Sequence, residues 1–265
     1  MAWTMPLLYE RLTWPEVRRA AAEDRVCLIP AGTLEDHGPH LPLDADTRIA
    51  TEICRRAAEE IPDQVVLLPP IIHGYTPHHM DFPGPITIGW ETFVRYCTDI
   101  GNSLAHHGFK RILYLNGHGS NIPLVEMAAR LVALEHPDVL AAGAFYLTSA
   151  ESMKVIEEVR ESDIGGMGHA CEMETSLQLH LRPELVAMAN ARKDMPKPAT
   201  SLSGIDFREP GPLVYPLDFR RDSSEGVMGD PTAATPEKGA AIADAVLEKL
   251  VQAIGEFRVA PIRKT

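Results

Sequence analysis

At 265 residues and 45% hydrophobic content the chain can fill a sizeable core, and with no Ser/Gly-rich linker or shift in composition it is expected to form one domain over 1–265. A formal charge of −12 argues against nucleic acid or anionic membrane as a partner, and no apolar run is long enough to span a bilayer. The start, Met1-Ala-Trp-Thr-Met-Pro-Leu-Leu-Tyr-Glu10, lacks the pattern of a secretory leader, and Cys27, Cys54, Cys97 and Cys171 are scattered like buried thiols of a reducing compartment, so a cytoplasmic location is expected.

The first predicted element is a buried strand over 26–29. It leads into Gly32-Thr-Leu-Glu-Asp-His-Gly-Pro-His-Leu-Pro-Leu-Asp-Ala-Asp46, where Glu35, His37, His40, Asp44 and Asp46 crowd together. Carboxylates and imidazoles at this density, with no Cys or Lys among them, suit a hard-to-borderline divalent cation. Taken alone, the cluster also fits a solvated acidic loop. A helix over 47–60 and a strand over 65–68 follow.

The long stretch 69–89 is rich in Pro and Gly and has little periodicity, as binding loops and subunit contacts often do. His73, Tyr75, His78, His79, Asp81 and Trp90 are available there for substrate contact, but surface or packing roles are the plainer reading of each.

A helix over 91–107 and a strand over 111–115 lead to Asn116-Gly-His-Gly-Ser-Asn121. Small residues on both sides of His118 let the backbone turn sharply where a strand ends, the place where open α/β sheets carry their sites. An ordinary Asn-Gly turn beside an exposed histidine is the alternative. A helix to 135 and a strand over 139–145 complete a strand–helix alternation, which implies a mostly parallel, doubly wound sheet flanked by helices.

The third cluster is Gly168-His-Ala-Cys-Glu-Met-Glu-Thr-Ser176. Ala170, Met173, Leu177 and Leu181 recur at helical spacing, so one helix is expected to carry His169 and Glu172 on a shared face and Glu174 on the apolar stripe. A carboxylate on that stripe needs a partner. After a second irregular stretch, 193–230, Thr235-Pro236 signals the cap and first residue of a helix running to about 257.

Together these clusters resemble the creatininase family of metal-dependent amidohydrolases. The likeness rests on Glu35-Asp-His-Gly-Pro-His-Leu-Pro-Leu with Asp46, on Asn116-Gly-His-Gly-Ser-Asn121 and on His169-Ala-Cys-Glu-Met-Glu-Thr-Ser176. Phe82-Pro-Gly-Pro-Ile-Thr-Ile88 and Gly226-Val-Met-Gly-Asp-Pro-Thr232 add to it.

The resemblance implies a three-layer α/β fold, a homo-oligomer that is commonly a hexamer, and two divalent ions, for which Zn²⁺, Mn²⁺ or Fe²⁺ fit the donors. Carried over by motif position, Glu35, Asp46 and His118 hold one ion, and His37 and Asp46 its neighbour. His169 matches the catalytic histidine, a proton shuttle in attack by metal-activated water on a C–N bond of a small cyclic amide or formamide. His40, Asp44 and Asn116 are expected to orient the ligands or meet substrate.

One departure stands out: the family's namesake has a metal-binding Glu where this chain has Ser120. Glu172 is the expected substitute and Glu174 the second candidate, the latter grouped otherwise with His169 at the catalytic centre. The aromatic residues that close over creatinine are not identifiable, since 163–168 reads Asp-Ile-Gly-Gly-Met-Gly. Rival readings are C–C cleavage in a cyclic ketone or diketone-like sugar derivative, and a non-catalytic metal-binding protein.

Overall fold

The computed structural model describes residues 7–147, 149–195, 197, 200, 202–204, 206–207, 211–213 and 218–262. The elements run β1 (Leu7–Leu8), α1 (Trp14–Ala22), β2 (Val26–Ala31), α2 (Ala45–Glu60), β3 (Val65–Leu67), α3 (Trp90–His106), β4 (Arg111–Asn116), α4 (Ile122–Glu135), β5 (Leu140–Phe145), α5 (Ala150–Val159), β6 (Met167–His169), α6 (Glu172–Leu181), α7 (Phe219–Asp222), β7 (Met228–Gly229) and α8 (Pro236–Val259). Strands β1 to β5 form one parallel sheet in the order β1-β3-β2-β4-β5, and β6 and β7 pair antiparallel apart from it.

Side chains alternate across a strand, and in this sheet both faces are buried. Val26, Leu28, Leu113 and Leu115 pack with Ile49 and Ile53 of α2, Ile156 of α5, Met173 of α6 and Val246 of α8. The intervening Cys27, Ile29, Ile112 and Tyr114 pack with Ala20 of α1, Phe93 and Cys97 of α3, and Val125 and Val132 of α4. The result is the doubly wound three-layer α/β sandwich that the strand–helix alternation implied.

Strand β2 outruns its predicted end at 29 and passes through Pro30. The Pro30 carbonyl accepts from Ile71 N–H on the β3 side, beyond the end of β3 at Leu67. Helix α8 starts as expected, with the Thr235 hydroxyl accepting from Lys238 N–H and Pro236 as first residue.

Chain order sets the place of the site. From β2 the chain crosses to β3 on one side, and from β4 it crosses to β5 on the other, while β2 and β4 lie side by side with Ala31 opposite Asn116. The gap at these carboxyl ends is the topological switch point. Two glycines let α2 close over it: a Cβ on Gly32 would stand 2.5 Å from Thr47 Cα, and one on Gly117 would stand 2.4 Å from the Asp46 carbonyl oxygen.

Gly117→Ala is therefore expected to lower stability by about 1–3 kcal/mol, the cost of overpacking a site with no room to yield. Gly119→Ala is the control, because an added Cβ there meets nothing within 4 Å. Equal thermal midpoints for the two variants would show that the α2 approach does not depend on Gly117.

Candidate metal centre

Three chain segments meet at the switch point. After β2 the loop is held by Glu35 N–H donating to the Leu43 carbonyl and by Ile86 N–H donating to the Leu34 carbonyl. Asp46 lies in the first turn of α2, where free amide groups favour a negative side chain. After β4, Asn116 clamps the turn around His118: its Nδ2 donates to the His118 carbonyl at 2.6 Å and its Oδ1 accepts from His118 N–H at 3.1 Å.

The four side chains so placed are buried, with Glu35 1%, His37 0%, Asp46 2% and His118 4% exposed. Asp46 Oδ1 lies 3.2 Å from His37 Nε2, and Oδ2 lies 2.9 Å from His118 Nδ1. Glu35 Oε1 lies 3.2 Å from His118 Nδ1 and 4.0 Å from His37 Nε2. Each oxygen of Asp46 thus faces a different imidazole, as a bridging carboxylate requires.

The outward ring nitrogens fix the tautomers. His118 Nε2 donates to the Tyr75 carbonyl at 3.2 Å, His37 Nδ1 to the Glu35 carbonyl at 3.4 Å, and His169 Nε2 to the Asp36 carbonyl at 2.8 Å. A carbonyl only accepts, so each neutral ring keeps its lone pair on the nitrogen that faces the cluster. His169 Nδ1 stands 3.7 Å from Glu35 Oε1.

His169 does not lie on the expected helix. It ends β6, the backbone turns through Ala170 at φ +50°, and α6 begins only at Glu172. The shared face of His169 and Glu172 therefore disappears, and the assignment of Glu172 as a ligand is corrected. Its carboxylate accepts from Glu161 N–H and Ser162 N–H, both at 2.9 Å, and from Lys238 Nζ at 2.7 Å.

Glu174 faces the cluster instead. Ligand atoms of His37, His169 and Glu174 all lie within 4.8 Å of one another, as do those of Glu35, His37 and Asp46. Glu174 Oε2 is buried with no hydrogen-bond partner among the described residues.

Of the expected orienting residues, Asn116 acts on His118 as described. His40 Nε2 bonds to the Thr175 hydroxyl at 2.8 Å and so braces the residue after Glu174. The expectation for Asp44 is corrected: it is half-buried at the start of α2 and pairs with Arg182 at 2.8 Å and Arg48 at 3.8 Å, away from the cluster.

The sequence reading did not name Thr76, and it left His78 and His79 as available for substrate contact with surface or packing roles the plainer reading. The Thr76 hydroxyl donates to Glu35 Oε2, His79 Nδ1 donates to Asp36 Oδ1 at 2.6 Å, and His79 Nε2 lies 3.7 Å from Glu35 Oε2. Their only signal was the density of imidazoles in a Pro-rich, aperiodic stretch. Phe219 closes over them, with its ring 3.9 Å from that of His79 and 4.6 Å from that of His169.

A family model described as "Creatinine amidohydrolase" matches residues 10–254. The chain belongs to the creatininase family. Over 256 residues it is 32% identical to the mycofactocin precursor peptide peptidase of Mycobacterium ulcerans (strain Agy99), covering 94% of this chain and 88% of that one. It is 30% identical to the creatinine amidohydrolase of Pseudomonas putida, covering 92% and 95% of the two chains. A solved structure titled "Creatininase Mn" superposes with a TM-score of 0.82 at 28% identity, covering 96% of this chain and all of that one (100%).

The residues of this creatininase-family chain fit a divalent metal. The donors are nitrogen and oxygen with no thiolate, the imidazole tautomers present lone pairs inward, and Glu174 Oε2 lacks a partner among the described residues. In the metal-free chain, protons do part of a cation's work. Burial opposes charge on His37, yet Asp46, Glu174 and Glu35 outweigh it and raise the imidazole to about 10. Burial likewise opposes charge on His118, and Glu35 and Asp46 raise it well above the ordinary value. Burial lifts the Glu174 carboxyl to about 7, despite the pull of His37.

Metal binding should therefore release more than one proton per chain at pH 7, measured by calorimetry in buffers of different ionisation enthalpy. Release of none would remove His37 and His118 from the ligand set. A folded value above the unfolded one gives stabilisation that is full below about 6.5 and lost as pH rises towards about 10 for His37. The metal-free midpoint should fall across that window more steeply than the metal-loaded one.

Glu172→Gln should keep its metal and lose stability, because breaking a buried ion pair costs about 3–5 kcal/mol. Glu174→Gln should instead deplete metal. Elemental analysis of both variants checks this, and depletion in the Glu172 variant alone would restore the sequence-based assignment.

Proposed function

We propose that the chain is a dinuclear metal-dependent amidohydrolase that cleaves a C–N bond in a small cyclic amide or formamide. The observation that carries this reading is Asp46, whose two oxygens face His37 and His118 from the first turn of a helix. Glu35, Asp46 and His118 would hold one ion, and His37, Asp46 and Glu174 the other. Zn²⁺, Mn²⁺ and Fe²⁺ all suit these donors. Bound there, such ions lower the pKa of water towards neutrality and polarise a scissile carbonyl.

His169 supplies the proton transfer. Its Nε2–H is anchored on the Asp36 carbonyl, so the ring presents Nδ1 as a base beside Glu35. Burial, with His37 and His79 nearby, holds its pKa well below the ordinary value, so in the metal-free chain the ring is neutral. Nδ1 takes the proton lost during attack and returns it to the departing nitrogen, which leaves as an amine rather than an amide anion. Phe219 and His79 pack around this ring and limit water on that side.

We propose further that the enzyme is a cytoplasmic homo-oligomer. All four cysteines are free and buried. Met127, Leu131 and Leu134 form an exposed apolar stripe at helical spacing on α4, a face suited to another subunit.

His169→Ala should keep its metal while turnover falls by roughly 10²–10⁴-fold. The substrate class is tested by screening lactams, cyclic ureides, formamides and short peptides for amine release. Carboxylic acid formed from cyclic ketones without amine release would overturn the C–N assignment, and metal depletion in the His169 variant would make that residue a ligand.

A further inference from the structure

We infer that Thr76 and His79 are positioning residues that reserve Glu35 Oε2, so that Glu35 offers an ion its other oxygen alone and the place that a two-oxygen grip would take stays open to substrate. The inference rests on the metal-centre reading proposed above and extends it to two side chains of the aperiodic 69–89 stretch.

The two oxygens of Glu35 have different neighbours. Oε1 faces imidazoles, 3.2 Å from His118 Nδ1 and 3.7 Å from His169 Nδ1. Oε2 accepts from the Thr76 hydroxyl, and His79 Nε2 faces it at 3.7 Å. Thr76 and His79 are buried, as Glu35 is. The hydroxyl therefore keeps this acceptor, because releasing it away from water would leave a donor unpaired.

Two stretches that stood out in the sequence without supplying any candidate ligand hold these side chains in place. In the 82–88 stretch the Thr87 hydroxyl accepts from Thr76 N–H at 2.9 Å, and Ile88 N–H donates to the Gly74 carbonyl at 3.0 Å. His79 is held from the far side of its ring, where Nδ1 donates to Asp36 Oδ1 at 2.6 Å. Gly226 covers the other oxygen of Asp36: its φ is +67°, and an added Cβ would stand 2.0 Å from Asp36 Oδ2. Only a residue without a side chain closes that far over the carboxylate. The 82–88 stretch thus acts on Glu35 through Thr76, and the 226–232 stretch acts on it through Asp36 and His79.

A carboxylate that grips an ion with both oxygens takes two of its positions, whereas a catalytic site has to keep one free. With Oε2 reserved, Glu35 takes one.

The Co²⁺-loaded full chain tests this, through metal content, the Co²⁺ absorption spectrum and the affinity for azide, a probe of open positions on the ion. Thr76→Val, close to threonine in shape, should keep its metal and shift the spectrum towards the weaker absorption of higher coordination as Oε2 turns to the ion. Its azide affinity should fall roughly 10–100-fold, the scale on which outer-shell partners act. Thr76→Ser keeps the hydroxyl and should return both readings to wild-type values, a recovery that a packing role of the threonine methyl would not give. His79→Ala should keep its metal and show a smaller change of the same sign. A wild-type spectrum and azide affinity in either Thr76→Val or His79→Ala overturn the inference and leave the proposed function standing. Loss of a metal equivalent in His79→Ala also overturns it, by making that histidine a ligand, and a wild-type chain that takes up no Co²⁺ overturns both.

Discussion

The buried carboxylate of Asp46 is the constraint around which the rest of the centre is arranged. Removing an ionised group from water costs several kcal/mol unless charge and hydrogen bonds replace the solvent. Here the replacements are two imidazoles, one per oxygen, and the first turn of α2. Burial pushes the Asp46 carboxyl up, and His37 and His118 together bring it below the ordinary range. Satisfying Asp46 requires α2 to sit against the ends of both β2 and β4, and the bare backbones of Gly32 and Gly117 make that approach possible.

Around this core the backbone of the same loops orients the rings. The carbonyls of Glu35, Tyr75 and Asp36 hold the outer nitrogens of His37, His118 and His169. Two of those carbonyls belong to residues inside the first motif. That segment therefore supplies candidate ligands and also the framework that decides which face of each ring is basic. Such preorganisation reduces the ordering that must accompany ion binding.

What was legible in the sequence follows from how local each signal is. Buried strands and long amphipathic helices repeat at their own period, so β2, β4, α2, α3 and α8 were read nearly to their ends. The first two motifs each lie within a short stretch of chain, from the end of β2 into the first turn of α2 and at the end of β4, so they were readable as two local clusters. The third was not, because a left-handed residue at Ala170 carries no sequence mark when it is not glycine or asparagine. The turn it makes separates His169 from the helix and rotates Glu172 towards Lys238 and Glu174 towards His37. His78 and His79 were left as surface or packing residues available for substrate contact, because their position depends on a loop with no periodicity. α1 and α5 lie outside the motifs and were not anticipated.

His169 and Glu174 reach the centre on β6 and α6, whereas Glu35, His37, Asp46 and His118 come from the ends of the main sheet and from α2. The arm bearing His169 is held by Glu172, which pairs with Lys238 of α8 and accepts from the amides of Glu161 and Ser162. It is also tied to the sheet side of the centre, with Thr175 bonded to His40, Gln178 Nε2 donating to the Ala45 carbonyl at the start of α2, and His169 donating to the Asp36 carbonyl. A change in the 160–166 loop would therefore be felt at the Asp46 cluster as well as at His169 and Glu174, so the arm and the sheet-borne residues cannot be altered as independent parts.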